Sequence, residues 1–190
     1  MNITLESITA ARENWSLSAT GVFDEGIHLV SGDVGSGKTT LALAMSGLLP
    51  LSSGGVVTAG IRTRMLAFQF PEYHITGMDL ESECRTWNLE PSEILPAAGL
   101  GRHAKQNPLR LSRGELKRLV LTCILAKEYD LLILDEPFSS LDCAGKERLC
   151  SALSGRMKGI TVMFTHEQAF FPRVDRIWEL HEGTLYDRGR

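Results

Sequence analysis

The stretch GDVGSGKT, residues 32–39, matches G-x-x-x-x-G-K-[ST] at every fixed position. Its surroundings decide what it means. The apolar run GIHLVS (26–31) precedes it, and KTTLALAMSGLL (38–49) follows with the spacing of a helix. Strand, glycine-rich turn and helix in that order make a phosphate-binding loop. Glycines let backbone N–H groups turn inward, Lys38 reaches terminal phosphates, and the Thr39 hydroxyl is a ligand for Mg²⁺. Gly32, Asp33, Val34, Gly35, Ser36, Gly37, Lys38, Thr39 and Thr40 are the candidate phosphate-binding residues.

Two further apolar runs read as buried strands, DLLILD (130–135) and GITVMFT (159–165). They are continuous rather than alternating, as expected of parallel strands covered on both faces. Helical stretches GELKRLVLTCILAKE (114–128) and AGKERLCSALSGRM (144–157) lie between them. The pattern predicts an α/β domain built on a parallel sheet. From about residue 77 the chain is polar and broken by Pro91, Pro96, Gly99 and Gly101, so 77–125 is expected to be a small helical insertion. The tail, VDRIWELHEGTLYDRGR (174–190), predicts a strand pair turning at Glu182 and Gly183.

The 190 residues suit one domain, with 43% hydrophobic and 23% charged residues. A formal net charge of −3 argues against a broad nucleic-acid footprint. Cys84, Cys123, Cys143 and Cys150 show no close pair spacing, and are expected to be reduced, mostly core thiols in the cytosol. No apolar run approaches the ~18–20 residues of a membrane span, and the first 14 residues lack a secretory pattern. Work at a membrane would mean docking to something already there.

LLILDEP (131–137) closes an apolar strand with two carboxylates. Asp135 suits a Mg²⁺ contact, and Glu136 suits a base on an attacking water. LSRGE (111–115) reads alone as a capping box, Ser112 capping a helix and Glu115 reaching back. A glycine at a helix start also suits a phosphate.

The order of these motifs resembles the nucleotide-binding domain of ABC ATPases. Leu111 lies 24 positions before Asp135, where the family carries a pattern close to Leu-Ser-Gly-Gly-Gln. Leu111, Ser112 and Gly114 match; Arg113 replaces the first glycine and Glu115 the glutamine. AFQFPE (67–72) carries Gln69, matching the family's glutamine loop. SSLD (139–142) carries Asp142, matching the dimer-interface loop. FTHE (164–167) carries His166, matching the switch histidine, 31 positions after Asp135. Taken singly, His166 reads equally as a surface histidine and Asp142 as a helix cap.

The resemblance implies a P-loop NTPase fold, a parallel core with a small antiparallel β part and an inserted helical subdomain. It implies ATP and Mg²⁺ as cofactors, with Thr39, Gln69 and Asp135 at the metal and Lys38, Glu136 and His166 as catalytic groups. Two such domains pack head to tail in the family. Ser112, Arg113, Gly114 and Glu115 would then face the ATP of a partner chain, in a homodimer or a heterodimer, with Asp142 at the interface.

Trp15 tempts as an adenine stacker, but WSLSATG (15–21) aligns with a strand of the family's N-terminal sheet, so a core role is expected. That sheet is expected to be trimmed. FQFPEYHITGMDLESE (68–83) is similar to the ATPases of energy-coupling factor importers, with Pro71 and Glu72 after the loop glutamine and Glu81 or Glu83 as the later acid. The expectation is a cytoplasmic subunit, peripheral on the inner face of the membrane. It would bind integral transporter subunits, power uptake of vitamins or metal ions, and bind no nucleic acid. The alternatives are a soluble ABC-type ATPase of DNA repair, chromosome structure or translation, and a module that binds nucleotide but barely hydrolyses it. No long coiled coil or zinc module supports the first, and Glu136 with His166 argues against the second.

Overall fold

The computed structural model describes residues 1–12, 15–156, 158–167 and 171–189. The side chains of Arg12 and Trp15 also lie outside the description, and with them the expectation for the Trp15 ring.

Strands β1 (Asn2–Arg12), β2 (Trp15–Asp24) and β3 (Gly26–Ser31) lead into helix α1 (Lys38–Ser46). Then come β4 (Ser53–Ala59), β5 (Arg64–Ala67), α2 (Leu80–Thr86), α3 (Pro91–Ala97) and α4 (Arg113–Leu125). The chain closes with β6 (Leu131–Asp135), α5 (Cys143–Ser154), β7 (Ile160–Phe164), β8 (Arg176–His181) and β9 (Thr184–Gly189). The described strands form one sheet in the order β4-β1-β2-β9-β8-β3-β7-β6-β5.

The parallel core is β8-β3-β7-β6-β5; β3, β7 and β6 are the expected strands, while β5 and the parallel pairing of β8 with β3 were not expected. Every residue of β6 and β7 is buried, which is why their sequence is apolar without alternation. The strand pleat divides them between two layers. Leu131 and Ile133 join Val162, Phe164, Leu41 and Met45 on the α1 face. Leu132 and Leu134 join Met163, Val120, Leu121, Ile124 and Leu149 under α4 and α5.

The antiparallel part is larger than expected. β1 runs for 11 residues and β2 for 10, paired with each other, while β4 extends the edge. The N-terminal sheet thus has three paired strands among the described residues. The β8-β9 pair turns at Glu182-Gly183 as expected and meets β2 through β9.

Helices α2, α3 and α4 pack on their own small core of Leu80, Cys84, Ile94, Leu95, Leu100, Leu119 and Cys123. Helix α4 serves two cores at once, because its Val120, Leu121 and Ile124 face the sheet instead. All four cysteines are free, but only Cys84 and Cys123 are buried; Cys143 is exposed and Cys150 half-buried, so the thiols are less of a core set than the sequence implied.

Candidate active site

Residues 32–37 turn from β3 into α1. Gly37 sits at the N-cap of α1 at φ 107°, and no side chain caps the helix. The start of α1 thus keeps its donors for an anion. Gly32 is needed for closeness, since a Cβ there would lie 2.3 Å from the Leu180 carbonyl oxygen. Val34, Gly35, Gly37, Lys38, Thr39, Thr40 and Gln69 line a cleft of about 410 Å³. Lys38 is 7% exposed, and its Nζ donates to the carbonyls of Gly32 at 2.7 Å and Asp33 at 2.9 Å.

The end of β6 brings the carboxylates alongside. Thr39 Oγ1 donates to Asp135 Oδ2 at 2.8 Å, while Asp135 Oδ1 and Ser36 Oγ are buried with no partner among the described residues. Burial pushes the Asp135 carboxyl above its ordinary pKa, opposed by the Thr39 hydrogen bond. Glu136 is 6% exposed and held at φ 47°, a strained setting for a residue with a side chain. Its N–H donates to the Phe164 carbonyl at 2.8 Å, which ties the strained residue to β7. Its carboxylate has three neighbours: Thr165 Oγ1 at 3.2 Å, His166 Nδ1 at 2.9 Å and Lys38 Nζ at 3.7 Å. A cation, a buried carboxylate and a half-exposed histidine therefore converge beside the phosphate cleft.

The signature residues lie elsewhere. None of Ser112, Arg113, Gly114 or Glu115 lines the Lys38 cleft. Ser112 caps α4 in a capping box: the Glu115 N–H donates to Ser112 Oγ at 3.3 Å, and the Ser112 N–H donates to Glu115 Oε2 at 2.9 Å. These bonds to Ser112 hold the Glu115 carboxyl below its ordinary pKa. Gly114 presses on the next motif, since a Cβ there would lie 2.6 Å from the Ser140 carbonyl oxygen. Asp142 is exposed and caps α5, accepting from the Gly145 N–H at 2.8 Å.

Gln69 is exposed and follows β5 on the loop toward α2. Its backbone carbonyl accepts from Lys117 Nζ of α4 at 2.8 Å.

A family model described as ABC transporter matches residues 20–139. The chain belongs to the ABC transporter ATP-binding family.

Among its relatives is an energy-coupling factor transporter ATP-binding protein EcfA1 of Thermotoga maritima, 32% identical, with 97% of this chain and 80% of that protein covered. A putative ABC transporter ATP-binding protein of Pyrococcus horikoshii is 31% identical over 86% of this chain and 72% of its own. A cobalt import ATP-binding protein CbiO of Syntrophus aciditrophicus is 32% identical over 80% and 63%. A solved structure described as the ATP-binding subunit of an ABC transporter superposes with a TM-score of 0.82 at 18% identity, covering 99% of this chain and 90% of that one. At that identity the likeness speaks for the fold.

The ABC fold places two further residues that motif reading did not single out, Lys117 and His74, and decides between the two acids that it offered. Lys117 is 2% exposed, and burial brings its ammonium down to about 8 against the pull of the Asp135, Glu136 and Glu72 carboxylates. His74 accepts the Phe68 N–H on Nε2 at 3.0 Å, and burial with Lys117 nearby takes it down to about 4. Glu83 is fully buried and accepts from the Thr76 and Gly77 N–H groups and from Trp87 Nε1. Glu81 instead pairs with Arg85 and Lys105 at the surface, so Glu83 is the acid that shapes the loop. A lysine inside the apolar pattern of α4 was the visible sequence signal for Lys117, and His74 had none.

The donor set fits Mg²⁺ with nucleotide. Thr39 Oγ1 and the unpartnered Asp135 Oδ1 are hard oxygens beside the Lys38 cleft, and Mg²⁺ commonly takes few protein ligands.

Proposed function

We propose that this ABC-family chain binds and hydrolyses ATP to power a membrane transporter, an importer of vitamins or metal ions. The observation that carries hydrolysis is the buried Glu136 carboxylate, hydrogen-bonded to His166 and 3.7 Å from Lys38 Nζ. The transport reading is supported by relatives named for energy-coupling factor and cobalt import.

Residues 32–40 hold the phosphates, with the N–H groups at the start of α1 as donors. Lys38 leaves the Gly32 and Asp33 carbonyls for the terminal phosphate oxygens. Thr39, Asp135 and Gln69 would hold Mg²⁺, which when bound would neutralise phosphate charge. Glu136 takes a proton from the attacking water. His166 orients the Glu136 carboxylate through Nδ1, and with a second proton on Nε2 it would also donate to negative charge as it develops.

Residues 1–190 act as one nucleotide-binding unit, with 77–125 as its helical part. Two units assemble head to tail, two copies or one copy with a relative. Ser112, Arg113, Gly114 and Glu115 of each then face the nucleotide of the other, and Asp142 lies at the seam. Membrane subunits dock near Gln69, on the cytoplasmic face. Among the described residues no helix is long and apolar enough to cross a membrane.

Phosphate release from Mg-ATP by the purified chain tests the enzymatic half. Turnover that vanishes in Glu136→Gln while nucleotide binding persists is expected; equal turnover in both removes Glu136 from the chemistry. Loss of transport on deleting the chain, restored by the wild type and not by Glu136→Gln, tests the transport half.

A further inference from the structure

Helix α4 grips the glutamine loop at two places one turn apart. Lys117 Nζ donates to the Gln69 carbonyl at 2.8 Å and lies 3.5 Å from that of Phe68. Arg113 sits four positions earlier on the same face of the helix. Its guanidinium lies 5.9 Å from the centre of the Phe70 ring, and its Nε lies 3.9 Å from Glu72 Oε1. Arg113 thus touches its own loop while its side chain stays 62% exposed. It occupies the signature position where the family pattern has glycine, and a glycine has no side chain to make these contacts.

The gripped segment is held together by its own contacts. The Tyr73 ring meets Phe70 at 6.0 Å and Phe68 at 5.9 Å, both edge-on. The Tyr73 N–H donates to the Phe70 carbonyl, the Ile75 N–H to that of Glu72, and the Phe68 N–H to His74. Ser112, the helix cap, directly precedes Arg113.

We propose that Arg113 and Lys117 are positioning residues that lock the signature serine to the 68–74 loop of the same chain, so that Ser112 is presented to a neighbouring nucleotide only when that loop is set. The proposal rests on the two-chain reading of the signature. Tyr73 is 71% exposed, so whatever presses on it moves Ser112 through these contacts. The Arg113 contacts are worth about a factor of five at most, as exposed ion pairs and cation–π contacts are. Lys117 is buried, and its loss reaches further.

Hydrogen exchange of the full chain without nucleotide tests the lock directly. The amides of Phe68, Tyr73 and Ile75 are the reporters, because each is hydrogen-bonded within the loop. Arg113→Gly, Arg113→Glu and Glu72→Arg should each speed their exchange about two- to fivefold. Arg113→Glu with Glu72→Arg should return it to the wild-type rate, which general loosening of α4 would not do. Unchanged exchange in Arg113→Gly, or a double swap as fast as the singles, overturns the proposal.

The same variants in a Glu136→Gln background, weighed with and without Mg-ATP, give the second readout. The singles should weaken ATP-dependent association and the double swap restore it. If no variant associates while all bind Mg-ATP, the two-chain reading fails, and the exchange result still decides whether the lock exists. Association that ignores all three substitutions overturns the presentation of Ser112 by the loop.

Discussion

His166 Nδ1 lies 2.9 Å from Glu136 Oε1, and the two residues leave the ends of neighbouring parallel strands, paired through Asp135 and Phe164. Thirty positions of sequence separate them, and sheet register alone brings them together. A carboxylate held in this way acts as a unit with its histidine. Glu136→Gln should lower single-turnover phosphate release about 10²–10⁴-fold with ATP binding retained. His166→Ala should lower it less. The double variant should be no slower than Glu136→Gln within error, because groups that act together are not additive. A product of the two separate losses would mean independent roles.

Asp135 carries the cost of a buried carboxylate whose pKa burial has raised. Asp135→Asn keeps the shape and removes that cost. Without nucleotide the variant should melt at the same temperature as the wild type or higher. It should lose most of the rise that Mg-ATP gives the wild type, which for one site at 100-fold excess over Kd is worth about 2.7 kcal/mol. Melting curves with and without Mg-ATP read both effects. A nucleotide-induced rise as large as the wild type's would remove Asp135 from the metal site.

Gly114 has no room for a methyl group. A Cβ would lie 2.6 Å from the Ser140 carbonyl oxygen, a backbone atom that cannot swing aside. Gly114→Ala should cost about 1–3 kcal/mol of stability, read by urea unfolding. Unchanged stability would show that the 139–142 loop yields freely. Ser112→Ala removes only the cap and should cost about 1 kcal/mol.

His74 gives the glutamine loop a pH dependence. Its Nε2 must stay unprotonated to accept the Phe68 N–H, and burial lowers its pKa from 6.5 to about 4. The unfolded chain takes up the proton near pH 6.5 and the folded chain only near 4. The contribution of His74 to stability is therefore fully present above about pH 6.5 and is lost as pH falls toward 4. His74→Gln should flatten the stability profile in that window. A histidine NMR titration with a midpoint near 6.5 would contradict the buried, accepting ring.

The parallel core was legible because its signals are local. A full phosphate-loop motif lies between a buried strand and a helix, and β6 and β7 are apolar without alternation because both faces are covered. The edge was less legible. β4 carries Gly54 and Gly55 and has no fully buried residue, so it shows little strand pattern, and β5 is only four residues long. At the site, Lys38, Thr39, Asp135 and Glu136 were readable because the chemistry needs those residue types at those offsets. Lys117 and His74 were not, and Glu83 was readable only as one of two acids, because their work is done on backbone groups of a loop whose path appears only in three dimensions. The capping-box reading of Ser112 and Glu115 is met in full, and it stands beside the signature reading without excluding it.

The separation of the signature from the Lys38 cleft of its own chain makes association with a second chain the central claim. The measurement is the solution mass of Glu136→Gln by light scattering, with and without Mg-ATP. A mass that doubles only with Mg-ATP, and fails to double when Ser112→Ala is added, is expected. A chain that binds Mg-ATP and stays monomeric at every concentration would contradict the claim that LSRGE completes the nucleotide site of a second copy.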